Sequence, residues 1–129
     1  MYIVIHNHAE DDLEQLWDSN PQAAADITVL FEQMKADPKL IDKLTTRGRN
    51  QFGQTDLDVK PWLRLWNRGV DLWRLRIYDE PFANYRIVYG YAVRSYQIVI
   101  LAVVRREDFD YDAPDHAIAQ RILEDWRNL

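Results

Sequence analysis

Apolar residues recur at two different spacings along this chain, and the change of spacing separates predicted helices from predicted strands. Residues 2–5 form a short β-prone run. Residues 9–17 and 22–36 repeat apolar side chains every three or four positions, which predicts two amphipathic helices, and a third short helix is predicted for residues 39–44. Asn20 followed by Pro21 is a typical helix start, and Asp37 with Pro38 ends the second helix.

In the later part of the chain, apolar residues recur at every second position instead, which is the spacing of a β-strand. In residues 72–78, Trp73, Leu75 and Ile77 are predicted to face one side of a strand, and Arg74 and Arg76 the other. Residues 85–91 predict a second strand after a turn at 79–84. Residues 96–103 predict a third strand, and the run 98–104 is apolar on both faces, as in the middle of a sheet. A last helix is predicted for residues 116–128, capped by Asp115.

Two stretches carry weaker patterns. Residues 45–60 are polar and are interpreted as a connection between the helices and the sheet. Residues 61–66 predict a short helical turn in which Trp62 and Trp66 pack against the core. The predicted fold is a single α+β domain over residues 1–129, ordered β-α-α(-α)-β-β-β-α. It has a small antiparallel sheet, N-terminal helices packed on one face, and a C-terminal helix.

Composition narrows the functional classes. The chain contains no cysteine, which excludes disulfides, thiol catalysis and thiolate zinc sites. We find no secretion signal and no run of 18 apolar residues, so we expect a cytoplasmic protein without a membrane partner. His6-Asn7-His8 is interpreted as the end of the first strand and not as part of a metal site.

Charge is strongly segregated along the chain, although the net charge is -5. Residues 1–60 carry 6 basic and 11 acidic groups, residues 61–106 carry 8 and 3, and residues 107–129 carry 2 and 7, so the segments net -5, +5 and -5. Every basic residue of the middle segment is arginine, which binds phosphate through two parallel hydrogen bonds and stacks on bases. This pattern fits either an RNA-binding surface or a solvated, ion-paired sheet face.

Residues 71–111 resemble the RelE/ParE superfamily of toxins. The resemblance rests on three pieces in order: Asp71-Leu72-Trp73-Arg74-Leu75-Arg76, then Tyr85-Arg86-Ile87-Val88-Tyr89, then Val104-Arg105-Arg106-Glu107 with Tyr111 beyond. It implies the toxin of a type II toxin–antitoxin system, a ribosome-dependent mRNA endoribonuclease that needs neither a metal nor another cofactor. The implied partners are a cognate antitoxin, the ribosome and mRNA. The implied catalytic residues are Arg74, Arg76, Arg86, Arg106 and Tyr111.

The sequence departs from that family at three points. RelE-type enzymes carry lysines where this chain has Arg74 and Arg76, residues 45–60 lengthen the connection before the sheet, and the family's strongly basic character is missing. Arginine stays protonated, so it suits charge stabilisation better than proton transfer, for which Tyr111 and His116 are the candidates. Two alternatives therefore stay open: a ParE-like inhibitor of DNA gyrase without nuclease activity, and an inactive homologue of the fold.

Overall fold

The protein forms an α+β structure whose elements mostly follow the predicted order. The computed structural model describes residues 2–52, 55–62, 69–77, 84–108 and 116–129. The helices are α1 (Asn7–Ser19), α2 (Pro21–Ala36), α3 (Pro38–Lys43) and α4 (Ala117–Arg127). The strands are β1 (Tyr2–Ile5), β2 (Gly48–Phe52), β3 (Thr55–Pro61), β4 (Leu72–Ile77), β5 (Tyr85–Ala92) and β6 (Gln97–Arg105). Single 3₁₀ turns follow β5 at Val93–Ser95 and β6 at Arg106–Asp108.

Side-chain caps define where the helices begin. The Asn20 side chain accepts a hydrogen bond from the Ala23 amide at 3.3 Å at the start of α2, as the Asn-Pro pair predicted. Asp37 caps α3 in the same way through the Lys39 amide. The prediction that Asp115 caps the last helix is wrong, because His116 is the N-cap and its Nδ1 accepts from the Ile118 amide. Asp115 itself lies outside the described residues.

The strands form one mixed sheet in the order β1-β6-β5-β4-β3-β2. The prediction of a wholly antiparallel sheet is wrong, because β1 runs parallel to β6 while the other neighbouring strands are antiparallel. A parallel pair needs a long connection, and the intervening helices and strands supply it. The interpretation of residues 45–60 as a connection is also wrong, since they contain β2 and all but the last residue of β3, and these two strands pair antiparallel. The predicted helical turn at 61–66 falls mostly on residues 63–66, outside the described ranges, as does most of the turn at 79–84.

Two apolar clusters cover the two faces of the sheet. On the first, which we call the helix face, Trp73, Leu75, Ile77, Ile87 and Tyr89 pack with buried residues of α1, α2 and α3. On the opposite face, Leu72, Val88 and Val104 pack with buried residues of α4. The approach of α4 depends on Gly90, because a Cβ there would lie 2.7 Å from the Trp126 ring. The N-terminal helices thus lie on one face, as predicted, and the C-terminal helix on the other.

One ion pair closes the sheet where β1 ends. β1 pairs with β6 only as far as Ile100, which leaves the outward backbone groups of the next β6 residues without a strand partner. Asp12 of α1 accepts a hydrogen bond from the Val103 amide at 3.0 Å, and Arg121 of α4 donates to the Leu101 carbonyl at 3.3 Å. Two further bonds of 2.9 and 2.8 Å join Arg121 to Asp12. This bidentate pair therefore links α1, α4 and β6 in one contact.

Within the described part of the chain, we find no helix with the length and apolarity needed to cross a bilayer.

Candidate nucleic-acid interface

Three of the sequence-predicted site residues lie on the face of the sheet opposite the N-terminal helices. β4 alternates as predicted, with Trp73, Leu75 and Ile77 in the core of the helix face. Arg74 and Arg76 therefore point to the other side, and Arg86 does so from β5, because its neighbours Tyr85 and Ile87 belong to the helix-face core. We call the surface formed by Arg74, Arg76 and Arg86, together with Asp58 and Lys60 of β3, the arginine face.

Strand register brings these charges side by side. Arg76 lies directly opposite Arg86 on β5 and opposite Asp58 on β3, while Arg74 lies opposite Lys60. Like charges at directly opposed positions repel each other and destabilise a sheet. Among the residues of the arginine face, the register therefore brings basic side chains of three neighbouring strands together around the carboxylate of Asp58.

Asp58 offsets part of this repulsion. Its Oδ2 atom lies 3.4 Å from Nη2 of Arg74 and 3.8 Å from Nζ of Lys60. The Asp58 residue is 7% exposed, so its carboxylate is held among the basic groups with little access to water. Among the five residues that define the arginine face, the four basic side chains outnumber this one acid.

The arginines differ in how far they reach solvent. Arg86 is 6% exposed, and its Nη1 donates to the Tyr85 carbonyl at 2.9 Å. The Arg74 side chain is 14% exposed, and its Nη1 has no hydrogen-bond partner within the described ranges. Lys60, by contrast, is half exposed. A negatively charged ligand would therefore contact Lys60 first. Its interaction with the less exposed guanidinium groups would be mainly long-range electrostatic attraction.

Arg106 lies in the 3₁₀ turn that follows β6, two positions after Val104, which is the β6 partner of Arg86. It is exposed, and with Asn84 and Glu107 it lines a cavity of about 300 Å³. The adjacent Arg105 is neutralised by Glu107 at 3.2 Å and Asp108 at 2.8 Å, whereas no carboxylate of the described residues lies within 4 Å of the Arg106 guanidinium. Arg106 is thus placed to bind an anion from solvent.

Of the two candidates for proton transfer, only His116 lies among the described residues. Tyr111 lies outside the described residues. His116 is exposed, and its Nδ1 is occupied as the N-cap of α4. That bond leaves Nε2 as the ring nitrogen available for other contacts.

Sequence reasoning missed Asp58 and Lys60 because residues 45–60 were interpreted as a connection. A signal was present, since Leu57, Asp58, Val59 and Lys60 alternate apolar and charged side chains in the manner of a half-buried strand. It was only four residues long and was preceded by a polar stretch. Sequence reasoning also missed the Asp12–Arg121 pair, which lines a second cavity of about 200 Å³ between α1, α4 and β6.

A further cluster forms where α1 meets the last turn of α4. His6, His8 and Asp125 each offer one ligand atom, and these atoms all lie within 4.8 Å of one another. The interpretation of His6-Asn7-His8 as a strand end is wrong, since β1 stops at Ile5, His6 caps α1 and His8 lies in its first turn. The pairing with Asp125 could not be seen in the sequence, because 117 positions separate it from His8.

Comparisons of this chain with protein-family models, with curated proteins and with solved structures found no match.

Proposed function

We propose that this protein is a RelE/ParE-type toxin of a type II toxin–antitoxin system and cleaves mRNA on the ribosome. The observation that carries the proposal is the juxtaposition of Arg74, Arg76 and Arg86 on one sheet face, with Arg76 and Arg86 directly opposed. It is supported by the residue pattern of residues 71–111, which resembles that superfamily, and by the exposed Arg106 after β6. The fold it implies, with a RelE/ParE-like sheet, is part of the same proposal.

In this proposal the arginines stabilise charge. Cleavage of RNA by its own 2'-hydroxyl builds negative charge on the phosphorus oxygens, and guanidinium groups held on a rigid strand oppose that charge without reorganising. Arg86 acts from beneath the surface, because it is 6% exposed. Arg106 contacts a phosphate oxygen directly, and Tyr111 takes part in proton transfer or stacks on a base.

The partners follow from the same proposal. The ribosome presents mRNA to the arginine face, and an antitoxin silences the toxin by covering the sheet and the last helix. Acidic antitoxin side chains would replace phosphate as the ligands of the exposed basic groups Lys60 and Arg106. These partners place the protein in the cytoplasm.

The test is a cleavage assay with purified protein, translating ribosomes and a reporter mRNA whose new 5' ends are mapped. We expect codon-positioned cuts with the wild type, and a rate about 100-fold lower for Arg106→Ala if its contact stabilises the transition state. Arg94→Ala is the matched control, because Arg94 is an exposed arginine in the turn between β5 and β6, away from the arginine face. Absence of cleavage by the wild type, or equal loss with Arg94→Ala, would overturn the proposal.

A second candidate, a non-cleaving homologue of the fold, is favoured by the burial of Arg86 and the ion pair of Arg74 with Asp58. Expression of the chain without any antitoxin separates the two. Growth arrest that Arg106→Ala relieves supports the toxin, whereas unimpaired growth supports the non-cleaving homologue. Growth arrest with intact mRNA and gyrase-dependent DNA breaks would instead identify a ParE-like gyrase inhibitor.

A further inference from the structure

We propose that His6, His8 and Asp125 bind one zinc ion at the junction of α1 and α4. This inference does not depend on the proposed nuclease activity, because none of the three residues belongs to the arginine face. It starts from the geometry of a cluster that residues from opposite ends of the chain form together.

The distances are close to those of a metal site. Asp125 Oδ2 lies 2.6 Å from Nδ1 of His8 and 3.6 Å from Nδ1 of His6. The ligand atoms of a tetrahedral zinc ion lie about 3.3 Å apart, since zinc–nitrogen and zinc–oxygen bonds are about 2.0–2.2 Å long. Nδ1 of His6 is already near that spacing, but it accepts the His8 amide hydrogen bond at 3.1 Å that caps α1, so zinc ligation through this atom would replace that hydrogen bond. The His8–Asp125 hydrogen bond must open by less than about 1 Å to admit the cation.

The electrostatic setting favours a cation. Asp125 is 7% exposed, and a buried carboxylate needs a positive partner. Arg121, one helical turn away, interacts with Asp125 electrostatically, but both of its Nη atoms donate to Asp12. Glu10 and Asp11, exposed in the first turns of α1, add negative charge close to the two histidines.

The donor set selects the metal. Two imidazoles and one carboxylate, without thiolate, suit Zn²⁺ and the neighbouring late transition metals, whereas Mg²⁺ and Ca²⁺ prefer all-oxygen ligands. Three protein ligands leave the fourth position of zinc for water or another small ligand. The side chains of His6 and His8 are 26% and 46% exposed, so that position opens to solvent.

Zinc would act here as a cross-link. His6 and His8 lie at the β1–α1 junction and Asp125 lies near the end of α4, so one ion ties together segments that are far apart in sequence. Binding to the folded chain alone must raise its thermal stability. The site lies on the same side of α4 as the Asp12–Arg121 pair, one turn further along the helix.

The experiment is calorimetric titration of the EDTA-treated full chain with ZnCl2, paired with thermal melts. We expect one saturable Zn²⁺ per chain, a melting temperature raised by several degrees, and no comparable response to MgCl2 or CaCl2. His8→Asn and Asp125→Asn should each weaken zinc binding at least about tenfold, since removal of even outer-shell partners costs 10–100-fold. His6→Asn should do the same while keeping a good N-cap for α1.

His116→Asn is the matched control. It removes the only other histidine of the chain, keeps a capping side chain at the start of α4, and should leave zinc affinity unchanged. Circular dichroism of each apo variant verifies that it is folded. No saturable binding to the wild type, equal affinity in His8→Asn and Asp125→Asn, or an equal loss in His116→Asn would each overturn the proposal.

Discussion

The two faces of the sheet use the same strands for different purposes. On β4, Trp73, Leu75 and Ile77 are almost fully buried beneath the N-terminal helices, whereas Arg74 and Arg76 between them carry charge to the opposite face. On the helix face, the buried hydroxyl of Tyr89 donates one uncharged hydrogen bond to the Leu44 carbonyl. The arginine face holds four basic side chains around the carboxylate of Asp58.

The residues of the helix face are explained by the stability that they give the fold. Stability does not explain the residues of the arginine face. Burying an apolar side chain lowers the free energy of the folded state directly. Burying a guanidinium costs desolvation, and apolar side chains of similar size in place of a buried ion pair are often neutral or stabilising. The arginine face is therefore the part of the sheet whose residues stability alone does not explain, and the phosphate binding proposed above would explain them.

The comparison predicts its largest effect for truncation on the helix face. Leu75→Ala removes a side chain that is 1% exposed and should lower the free energy of unfolding by about 3 kcal/mol, through lost burial and the cavity left behind. Urea unfolding followed by circular dichroism measures it. Val29→Ala on the exposed side of α2 is the control and should change stability by less than about 0.5 kcal/mol. Equal losses in the two variants would contradict the assignment of Leu75 to the core.

The next effect concerns the ion pair that joins the layers on the two faces. Asp12→Ala leaves Arg121 without its bidentate partner and the Val103 amide without its acceptor, so we expect a loss of about 2–3 kcal/mol. Glu14→Ala, an exposed acid on the same helix, should have little effect. The loss in the double variant Asp12→Ala/Arg121→Met should be smaller than the sum of the single losses, because both changes remove one interaction. Additive losses would show that the two side chains act independently.

The sequence predicted the helix face much better than the arginine face. Periodicity located α1, α2, α4 and the strands β4, β5 and β6, because each buries an apolar stripe with a regular spacing. It also predicted that Arg74 and Arg76 leave the core. It could not predict which strands become neighbours, so the opposition of Arg76 to Arg86 and the arrival of Asp58 among the arginines came only from the sheet register.

The same limit applies to contacts between distant segments. β1 was predicted as a strand, but its parallel pairing with β6 depends on the path of the whole chain. The Asp12–Arg121 pair and the cluster of His6, His8 and Asp125 join residues more than 100 positions apart. Single-residue patterns carry no information on such pairs, whose members are ordinary surface residue types when each helix is viewed alone.

A smaller effect is expected on the arginine face, where stability and binding should move in opposite directions. Asp58→Asn keeps the size of the side chain but removes the charge that partners Arg74 and Lys60, and should cost about 1–2 kcal/mol. It should also strengthen binding of single-stranded RNA at low salt, because the basic groups are no longer offset. Fluorescence anisotropy with a labelled oligonucleotide measures the binding.

Asp42→Asn is the control for Asp58→Asn, since it changes the net charge equally at an exposed position of α3. If both variants bound RNA equally well, the effect would come from net charge alone and the arginine face would have no special role. Tighter binding confined to Asp58→Asn would place the ligand on the arginine face.

The smallest effect tests whether the helix face tolerates a charge. Burial raises the pKa of the Tyr89 hydroxyl well above its usual value of 10.0, and the hydroxyl donates to the Leu44 carbonyl at 2.6 Å. A raised pKa means that the folded protein holds this proton more tightly than the unfolded chain. Its contribution to stability is therefore complete below about pH 10 and falls as the pH rises further.

Tyr89→Phe should cost about 1 kcal/mol at neutral pH, because the Leu44 carbonyl loses its donor. Above about pH 10 the wild type should lose stability faster than the variant, so that the difference between them shrinks. Urea unfolding at pH 7 and at pH 10.5 measures both numbers. A constant difference across this range would mean that Tyr89 ionises as readily in the folded state as in the unfolded chain. The helix face would then accept a charge as the arginine face does, and the distinction between the two faces would fail.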